Sequence, residues 1–323
     1  MTQKEKSNNI LVTGGAGFIG SAVANELVKK KYNVIVVDDL SNGKLNFLDK
    51  KVKFYKRNIS KSKKIGQILE SEKINVVFHF AGKIYADESI RKKKEYYLNN
   101  YIYSKNFLNL CLKYKVKNFI FASTAGVYGE KKKIFRELDK TNPINPYSQY
   151  KLMFENFLIK KSTKKMNYAI LRYFNVCGAN IANKWGQVNN KRSVMRKISI
   201  AIIKKKMKKF TIYGKDHPTV DGTPARDFIH INDLVDIHLK VLNYLKKNKK
   251  SILLNCGYGK SFTIKKIIDL FKKISKKKID IEYSKRRKGD PSEVIANNLK
   301  LKKIIKFKEK NDKIYFMVKS SLD

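Results

Sequence analysis

Cysteine, proline and tryptophan are scarce in this sequence. The 323 residues include five prolines, one tryptophan and three cysteines, which stand far apart at Cys111, Cys177 and Cys256. Because they form no C-x-x-C pair and no even-numbered set, a disulfide framework and a cysteine metal site are both disfavoured. We therefore expect reduced, partly buried thiols in a cytoplasmic protein.

Long apolar segments are also absent. Residues 1–9 are polar and lack the apolar centre of a signal peptide. No run approaches the roughly 18 apolar residues that a membrane-spanning helix needs. The sequence predicts no membrane partner.

Acidic residues are few, 27 against 72 lysines and arginines, which gives a net charge of +45. Such an excess raises nucleic acid as a possible partner. The lysines, however, stand in short clusters along the whole chain, as at 29–31, 131–133 and 276–278, and arginine is rare. This distribution favours a solvated lysine surface over a specific nucleic-acid footprint, which stays the alternative interpretation.

Apolar material is sufficient for a large core, since 42% of the residues are hydrophobic and 11% are aromatic. The length corresponds to about two domains. Up to residue 175, apolar strand patterns alternate with helical patterns, which is typical of an α/β fold with a doubly wound parallel sheet. The predicted strands are 10–13, 33–37, 52–55, 75–80, 118–122 and 168–173, and the predicted helices are 18–30, 62–71, 98–114 and 147–161.

Beyond residue 175 the pattern becomes irregular, and we expect a second, smaller domain at the carboxyl ends of the main sheet. The predicted division gives 1–175 and about 228–251 to one domain, and 176–227 with 252–323 to the other. Further strands are predicted at 210–213, 228–231 and 252–256, and further helices at 194–205, 232–245 and 263–274.

Glycines at positions 14, 17 and 20 follow the first strand and open the first helix. In that context they favour a Rossmann-type dinucleotide site, where the backbone turns tightly and the helix N-terminus faces a diphosphate. Asp38 ends the next strand, where a carboxylate binds ribose hydroxyls and repels a 2′-phosphate, so NAD is favoured over NADP. A glycine turn without a ligand and a turn-initiating Asp38 are the alternatives.

Tyr147 and Lys151 lie four residues apart on a predicted helix and therefore share a face. Tyrosine has a pKa of about 10, and making it a base near pH 7 takes about 4 kcal/mol. One cation at about 4 Å supplies a similar energy at an effective dielectric constant of about 20. Thr124 follows the strand 118–122, where its hydroxyl can reach a substrate hydroxyl or Tyr147; a strand-end turn residue is the alternative.

These segments together resemble the extended short-chain dehydrogenase/reductase superfamily and, within it, the NAD-dependent epimerase/dehydratase family of nucleotide-sugar enzymes. Two observations narrow the resemblance to the 4-epimerases. First, many segments of the sequence resemble the family's motifs and occur in the same order along the chain. Second, Ala125-Gly126 follow Thr124, where dehydratases carry two acidic residues. The matching segments are 13–20, 38–43, 79–82, 88–89, 95–97, 99–100, 121–129, 146–155, 171–175, 221–223, 226–230 and 286–290.

The resemblance implies that UDP-galactose and UDP-glucose are interconverted by transient oxidation at C4 with bound NAD, in a homodimer without a metal. It assigns catalysis to Thr124, to Tyr147 as base and to Lys151. It assigns cofactor binding to Gly14, Gly17, Phe18, Ile19, Gly20, Asp38, Asn42, Asn58, Ile59, Phe80, Ala81, Gly82, Asn99, Tyr147, Lys151 and Tyr173. It assigns the UDP-sugar to Thr124, Tyr147, Phe174, Asn175, Tyr213, Arg226, Arg287, Asp290 and Val294.

Several residues depart from the family's pattern. Asn58 replaces an aspartate that contacts adenine, and Ile84 replaces a lysine that meets the diphosphate, with Lys83 one position early. Residues 192–196 depart from the usual substrate loop. Val294 stands where a bulky tyrosine excludes N-acetylated sugars, so UDP-N-acetylglucosamine and UDP-glucuronate 4-epimerases are alternative functions. A non-catalytic binder of NAD or RNA is a further alternative.

Overall fold

A computed structural model gives the structure of the protein for residues 9–130, 133–162, 165–179, 193–204, 209–286 and 291–322. The fourteen strands described there are β1 (Asn9–Thr13), β2 (Asn33–Asp38), β3 (Lys53–Lys56), β4 (Val76–His79), β5 (Asn118–Thr124), β6 (Ile134–Phe135), β7 (Asn167–Tyr173), β8 (Asn175–Cys177), β9 (Lys209–Tyr213), β10 (Ala225–His230), β11 (Ile252–Cys256), β12 (Ser261–Thr263), β13 (Asp280–Ser284) and β14 (Glu293–Ala296).

The α-helices of the same ranges are α1 (Phe18–Lys29), α2 (Ser62–Ser71), α3 (Ala86–Arg91), α4 (Lys93–Tyr97), α5 (Ser104–Lys113), α6 (Pro146–Ser162), α7 (Val194–Lys204), α8 (Ile231–Asn248), α9 (Ile264–Ser275), α10 (Leu299–Ile305) and α11 (Ile314–Ser320). None of these helices combines the length and the apolar character that crossing a bilayer requires. All three cysteines are free and buried.

A seven-stranded sheet in the order β11-β7-β5-β4-β1-β2-β3 organises the fold. Its central strands are apolar and fully buried, as in the run Val34–Val37 of β2, because helices cover both faces. The register is parallel, with Ile10 of β1 paired to Val34 on one side and to Val76 on the other. The prediction of an α/β, Rossmann-type doubly wound sheet is confirmed, and the order in which successive strands join the sheet reverses between β1 and β4.

Two compact units divide the chain. Unit 1 comprises Met1–Ser123, Asn145–Leu171 and His238–Leu253, and unit 2 comprises Thr124–Ile144, Arg172–Ile237 and Leu254–Asp323. This division is based on contacts between parts of the backbone, whereas each predicted domain was defined by the ligand that it would bind, NAD or the UDP-sugar. Residues 124–144 and 228–237 belong to unit 2 here, while their assignment to the cofactor domain stays a prediction.

The core of unit 1 is built around β4 and β5 and is rich in phenylalanine. His79 lies inside it, with its ring 5.3 Å from that of Phe107 and 5.6 Å from that of Phe119. Its two ring nitrogens are hydrogen-bonded to Thr13 (2.7 Å) and Ser104 (3.0 Å). Burial lowers the pKa of His79 to about 3, so the ring is neutral. Both of its nitrogens have hydrogen-bond partners within the apolar cluster.

Unit 2 contains a sheet in the order β12-β10-β14-β6, with β8 paired to β10, and a separate pair β13-β9. A buried carboxylate fastens it. Asp227 of β10 accepts hydrogen bonds from the backbone N–H groups of Tyr258 (2.9 Å), Gly259 (2.8 Å) and Ala296 (3.1 Å). Burial raises the pKa of Asp227 to about 7, against the effect of these three donors. Asp227 thereby ties β10 to the turn after β11 and to β14.

The predicted helix at 98–114 is wrong in its first turns. Residues Leu98–Tyr103 form a π-helix, and the α-helix α5 begins only at Ser104. The side-chain oxygens of Asn99 (3.1 Å) and Asn100 (2.8 Å) both accept from the backbone N–H of Lys83. A wider helical turn places two consecutive asparagines toward the same loop, which a 3.6-residue period does not reveal.

Lysine occupies the left-handed backbone position that follows several helices. Among the described residues, six of the seven non-glycine residues with positive φ are lysines, and each follows a helix: Lys31, Lys73, Lys115, Lys249, Lys276 and Lys306. Glycine is usual there because a Cβ atom is unfavourable in this conformation. Each of these helix ends is therefore less stable with lysine at this position than it would be with glycine.

Replacing Lys276, with φ of 55°, by glycine should stabilise the protein by about 1 kcal/mol. Lys272→Gly, inside the same helix, is the matched control and should destabilise by a similar amount. Thermal unfolding followed by circular dichroism measures both. A melting temperature that does not rise for Lys276→Gly contradicts this explanation.

Candidate active site

The turn between β1 and α1 requires glycine at two of its three predicted positions. Gly14 has φ of +68°, and a Cβ atom there would lie 2.6 Å from the backbone nitrogen of Ala81. A Cβ atom on Gly20 would lie 2.3 Å from the carbonyl oxygen of Gly14. Gly14 thus brings the turn against the chain that leaves β4, and Gly20 lets α1 pack close beneath it.

Gly17 is different, because its surroundings are tight but would admit a methyl group after a small shift. Its φ is −79°, and the only near neighbour of an added Cβ atom is the carbonyl oxygen of Gly14 at 3.2 Å. It immediately precedes α1, whose first residues Phe18 and Ile19 are half-buried. A bare backbone at a helix N-terminus, with unpaired N–H groups and the positive dipole end, fits a diphosphate.

Asp38 lies at the end of β2 and is bonded to the glycine turn. One oxygen accepts from the N–H of Ala16 at 3.0 Å, and the other accepts from the N–H of Leu40 at 2.8 Å. It therefore serves the local turn and the glycine loop together. Burial raises the pKa of its carboxyl group, while the two N–H donors lower it. Each oxygen keeps a lone pair for a ribose hydroxyl.

Three other predicted cofactor residues that follow β2 differ in their exposure and contacts. Asn42 is exposed in the loop after β2, and Ile59 is buried in the core of unit 1. The side chain of Asn58 is fixed by its own neighbours. Its amide donates to Asp39 at 2.6 Å, and its carbonyl oxygen accepts from the N–H of Ser60 at 2.9 Å.

The chain leaving β4 carries Phe80, Ala81 and Gly82 past the glycine turn. Asn99 and Asn100 hold the next residue, Lys83, by its backbone. The Lys83 side chain forms an ion pair with Glu95 at 2.6 Å, and Ile84 is 47% exposed. The side chain of Lys83, one position before Ile84, is therefore directed to Glu95 in this structure.

Lys151 enters the interior of unit 1 from α6. It is 5% exposed, its Nζ donates to the carbonyl oxygen of Ala122 at 2.9 Å, and it lies 4.8 Å from the centre of the Phe121 ring. Burial lowers the pKa of Lys151 to about 8, and the charge of Glu155 opposes this effect. Tyr147 lies one turn earlier on α6, half-buried, so the two residues share a helix face as predicted.

Two hydroxyl-bearing residues near the site anchor the local backbone. The N–H of Tyr147 donates to the hydroxyl of Ser89 at 3.1 Å, which fixes the first turn of α6. Thr124 is the last residue of β5 and is half-buried. Its hydroxyl accepts from the N–H of Gly126 at 3.1 Å and caps the short 3₁₀ helix Ala125–Tyr128. Capping uses one lone pair of Thr124 and leaves its O–H as a donor.

Three of the predicted substrate residues gather on one sheet of unit 2. Arg226 of β10 stands opposite Val294 of β14 in parallel register, and both are half-buried. Asn175 begins β8 and donates from its side chain to the carbonyl oxygen of Asp227 at 3.2 Å. An arginine, an amide and a small apolar side chain are thus held on adjacent strands.

The other predicted substrate residues are more scattered. Phe174 is buried directly after β7, next to the predicted cofactor residue Tyr173, and Tyr213 ends β9 in the separate two-stranded sheet. Arg287 and Asp290 lie outside the described residues, as does Arg192 of the divergent loop. Among the described residues, no three or more histidine, cysteine, aspartate or glutamate side chains are grouped as a metal would require.

Sequence reasoning missed the polar residues that support the site. Glu155, one turn after Lys151, is 1% exposed and accepts a hydrogen bond from the hydroxyl of Ser123. A glutamate spaced four residues from an interior lysine was the available signal, because both must lie on one helix face. Asn100 and His79 gave no such signal, since their contacts depend on a π-helix and on the packing of distant strands.

A sequence model of the NAD dependent epimerase/dehydratase family matches residues 10–257. A UDP-glucose 4-epimerase of Azospirillum brasilense is 33% identical over 322 residues, covering 99% of this chain and 92% of that relative. Two solved structures are also similar. A UDP-glucose 4-epimerase of Brucella ovis in complex with NAD has a TM-score of 0.93 and 29% identity, over 98% of this chain and 97% of that one.

The second structure is a UDP-Glc/GlcNAc 4-epimerase of Campylobacter jejuni, with a TM-score of 0.86 and 35% identity, over 97% of this chain and 98% of that one. The match extends over both units rather than the glycine turn alone, and its curated relatives are isomerases. The chain therefore belongs to the NAD dependent epimerase/dehydratase family.

Proposed function

We propose that this protein interconverts UDP-galactose and UDP-glucose by transient oxidation at C4, with NAD as a bound cofactor. The observation that carries the proposal is the buried ammonium group of Lys151, fixed on Ala122 one helical turn from Tyr147. A protein that only binds NAD or RNA has no need of a buried cation beside a tyrosine. The 4-epimerases among its relatives support the choice of reaction.

Most residues of the proposed cofactor site belong to unit 1. Gly17 and the N-terminus of α1 would hold the diphosphate, Asp38 a ribose, and Gly82, Asn99 and Lys151 the nicotinamide half. NAD supplies a hydride acceptor and donor for C4 when it is bound. The remaining proposed contacts are Gly14, Phe18, Ile19, Gly20, Asn42, Asn58, Ile59, Phe80, Ala81, Tyr147 and Tyr173.

Tyr147 would take the proton from the sugar O4, and Lys151 would stabilise the phenolate. A buried ammonium is effective because few waters screen its charge. The hydroxyl of Thr124 would donate to O4. The UDP-sugar would be held by the diphosphate contacts of Arg226 and Arg287, the carboxylate of Asp290, and Phe174, Asn175, Tyr213 and Val294. The sugar must turn over between its two hydride transfers, so its anchors lie on the nucleotide.

Replacing Tyr147 by phenylalanine should lower kcat for UDP-galactose by at least about 10²-fold, because the base is lost while the ring remains. Conversion to UDP-glucose is followed by ¹H NMR. Tyr150→Phe, on the same helix, is the matched control and should keep most of the activity. Near-normal turnover by Tyr147→Phe, with an unchanged melting temperature, would end the proposal.

Gly17→Ala should abolish retention of NAD while the protein stays folded. Its φ is compatible with alanine, but the added methyl group would occupy the surface assigned to the diphosphate. Gly14→Ala should instead lower the melting temperature, because its Cβ atom meets the backbone of Ala81. The absorbance at 260 nm of supernatants from denatured protein measures NAD. Normal NAD content in Gly17→Ala contradicts the assigned site.

A second substrate class is favoured by Val294. Its side chain is small and stands beside Arg226 in register, so we propose that UDP-N-acetylgalactosamine is also accepted. The similarity to a UDP-Glc/GlcNAc 4-epimerase supports this range. UDP-glucuronate stays a less supported alternative.

Val294→Tyr should lower the turnover of UDP-N-acetylgalactosamine about tenfold or more, because the larger sugar needs the space. The turnover of UDP-galactose should stay within about threefold of that of the parent protein. Val294→Ala is the control and should accept both sugars. Product analysis by NMR separates these results. Equal losses for the two substrates in Val294→Tyr mean that position 294 does not select the sugar.

We also propose a homodimer formed through the segment 98–114 and α6. A cluster of half-buried aromatic rings supports it, in which Tyr97, the last residue of α4, lies 5.6 Å from Tyr101 of that segment and 5.3 Å from Tyr150 of α6, measured between ring centres. Sedimentation at the mass of a single 37.5 kDa chain would argue against it. Cytoplasmic location stays a prediction from the sequence.

A further inference from the structure

Two polar contacts join consecutive residues of β5 to consecutive turns of α6. The carbonyl oxygen of Ala122 accepts from Lys151 at 2.9 Å, and the hydroxyl of Ser123 donates to the carboxylate of Glu155. Residues 151 and 155 are one turn apart, so the pair of contacts fixes one face of the helix against the strand. Tyr147 occupies the preceding turn of that face.

Glu155 is buried as completely as the core residues around it, at 1% exposure. A carboxylate in such surroundings is costly unless hydrogen bonds and an opposite charge stabilise it. The Ser123 hydroxyl supplies one hydrogen bond but no charge. Lys151, one turn earlier on the same helix face, carries the opposite charge, and the Glu155 charge raises the pKa of the lysine against the effect of burial.

Three further side chains near Lys151 in the described part of the chain carry no charge. His79 on β4 interacts with it electrostatically, but its pKa of about 3 leaves the ring neutral. Phe121 of β5 offers the face of its ring, and the side chain of Asn100 lies beside Gly82. Tyr147 is the remaining titratable neighbour along α6. Glu155 is therefore the acid that balances the ammonium charge.

We propose that Glu155 is a positioning residue for the reaction, which keeps Lys151 charged and seated on Ala122 while Tyr147 exchanges its proton with the sugar. This inference rests on the proposed function, because it assumes that Tyr147 is the base. It gives Glu155 no contact with substrate or cofactor. The rival explanation is that Glu155 only fastens α6 to β5 through Ser123.

Glu155→Gln separates the two explanations. Glutamine keeps the shape and an oxygen that accepts from Ser123, but it removes the charge. Lys151 then loses its proton at a lower pH, so the alkaline limb of the kcat profile should move down by about half a unit or more. For a shift of one unit, kcat above the limb falls about tenfold. The KM for UDP-galactose should not change.

Two further variants serve as controls. Ser123→Ala removes the hydroxyl and keeps the carboxylate, so its alkaline limb should stay close to that of the parent protein. Glu155→Asp restores the charge and should return the limb toward its original position. A uniform loss of kcat in Glu155→Gln at every pH, with the limb unmoved, would show a purely structural role and overturn the proposal.

A titration without turnover keeps this test separate from that of the proposed function. In protein labelled with ¹³Cε-lysine, the Lys151 signal is the one missing from a Lys151→Met variant. Its pKa should be lower in Glu155→Gln than in the parent protein. Absence of epimerase activity in the parent protein would defeat the proposed function alone. An unchanged lysine titration would defeat the role of Glu155, whatever the turnover.

Discussion

The buried ammonium group of Lys151 has to be stabilised inside unit 1, and the packing of α6 against β5 depends on the contacts that stabilise it. An isolated buried ammonium group would lose its proton or destabilise the fold. The ammonium group of Lys151 is stabilised by the Ala122 carbonyl, the Phe121 ring and the carboxylate of Glu155. Because α6 carries both Lys151 and Tyr147, seating the lysine on β5 also fixes the turn that presents the tyrosine.

The carboxyl ends of the neighbouring strands complete this arrangement. Gly14 brings the turn after β1 against Ala81, Asp38 reaches from β2 to the same turn, and Gly82 passes near Lys151. The carboxyl ends of parallel strands lie at one edge of a sheet, and the strand order reverses between β1 and β4. Distant stretches of sequence therefore meet at the surface proposed for the cofactor without a long loop.

Much of the local structure at the proposed cofactor site was predictable from the sequence, because each of its parts depends on residues close together in the chain. The glycine spacing, the acid at the end of β2 and the four-residue interval between Tyr147 and Lys151 are each readable without knowledge of packing. The π-helix Leu98–Tyr103 and the short strand β14 were not predictable, since amide contacts and strand pairing create them. The partner of Lys151 was missed for a similar reason. A buried glutamate resembles a surface residue until the strand beside it is known.

The most direct measurement is the conversion of UDP-galactose in D₂O, with the product analysed by ¹H NMR. If C4 is oxidised and reduced by the transfer of one hydride within the site, UDP-glucose should form with a full proton signal at C4. Only the O4 proton handled by Tyr147 exchanges with solvent, and it is not observed. Deuterium at C4 would show that the hydrogen leaves as a solvent-exchangeable proton, and the absence of UDP-glucose would show that the substrate is a different one. Either result would contradict the account.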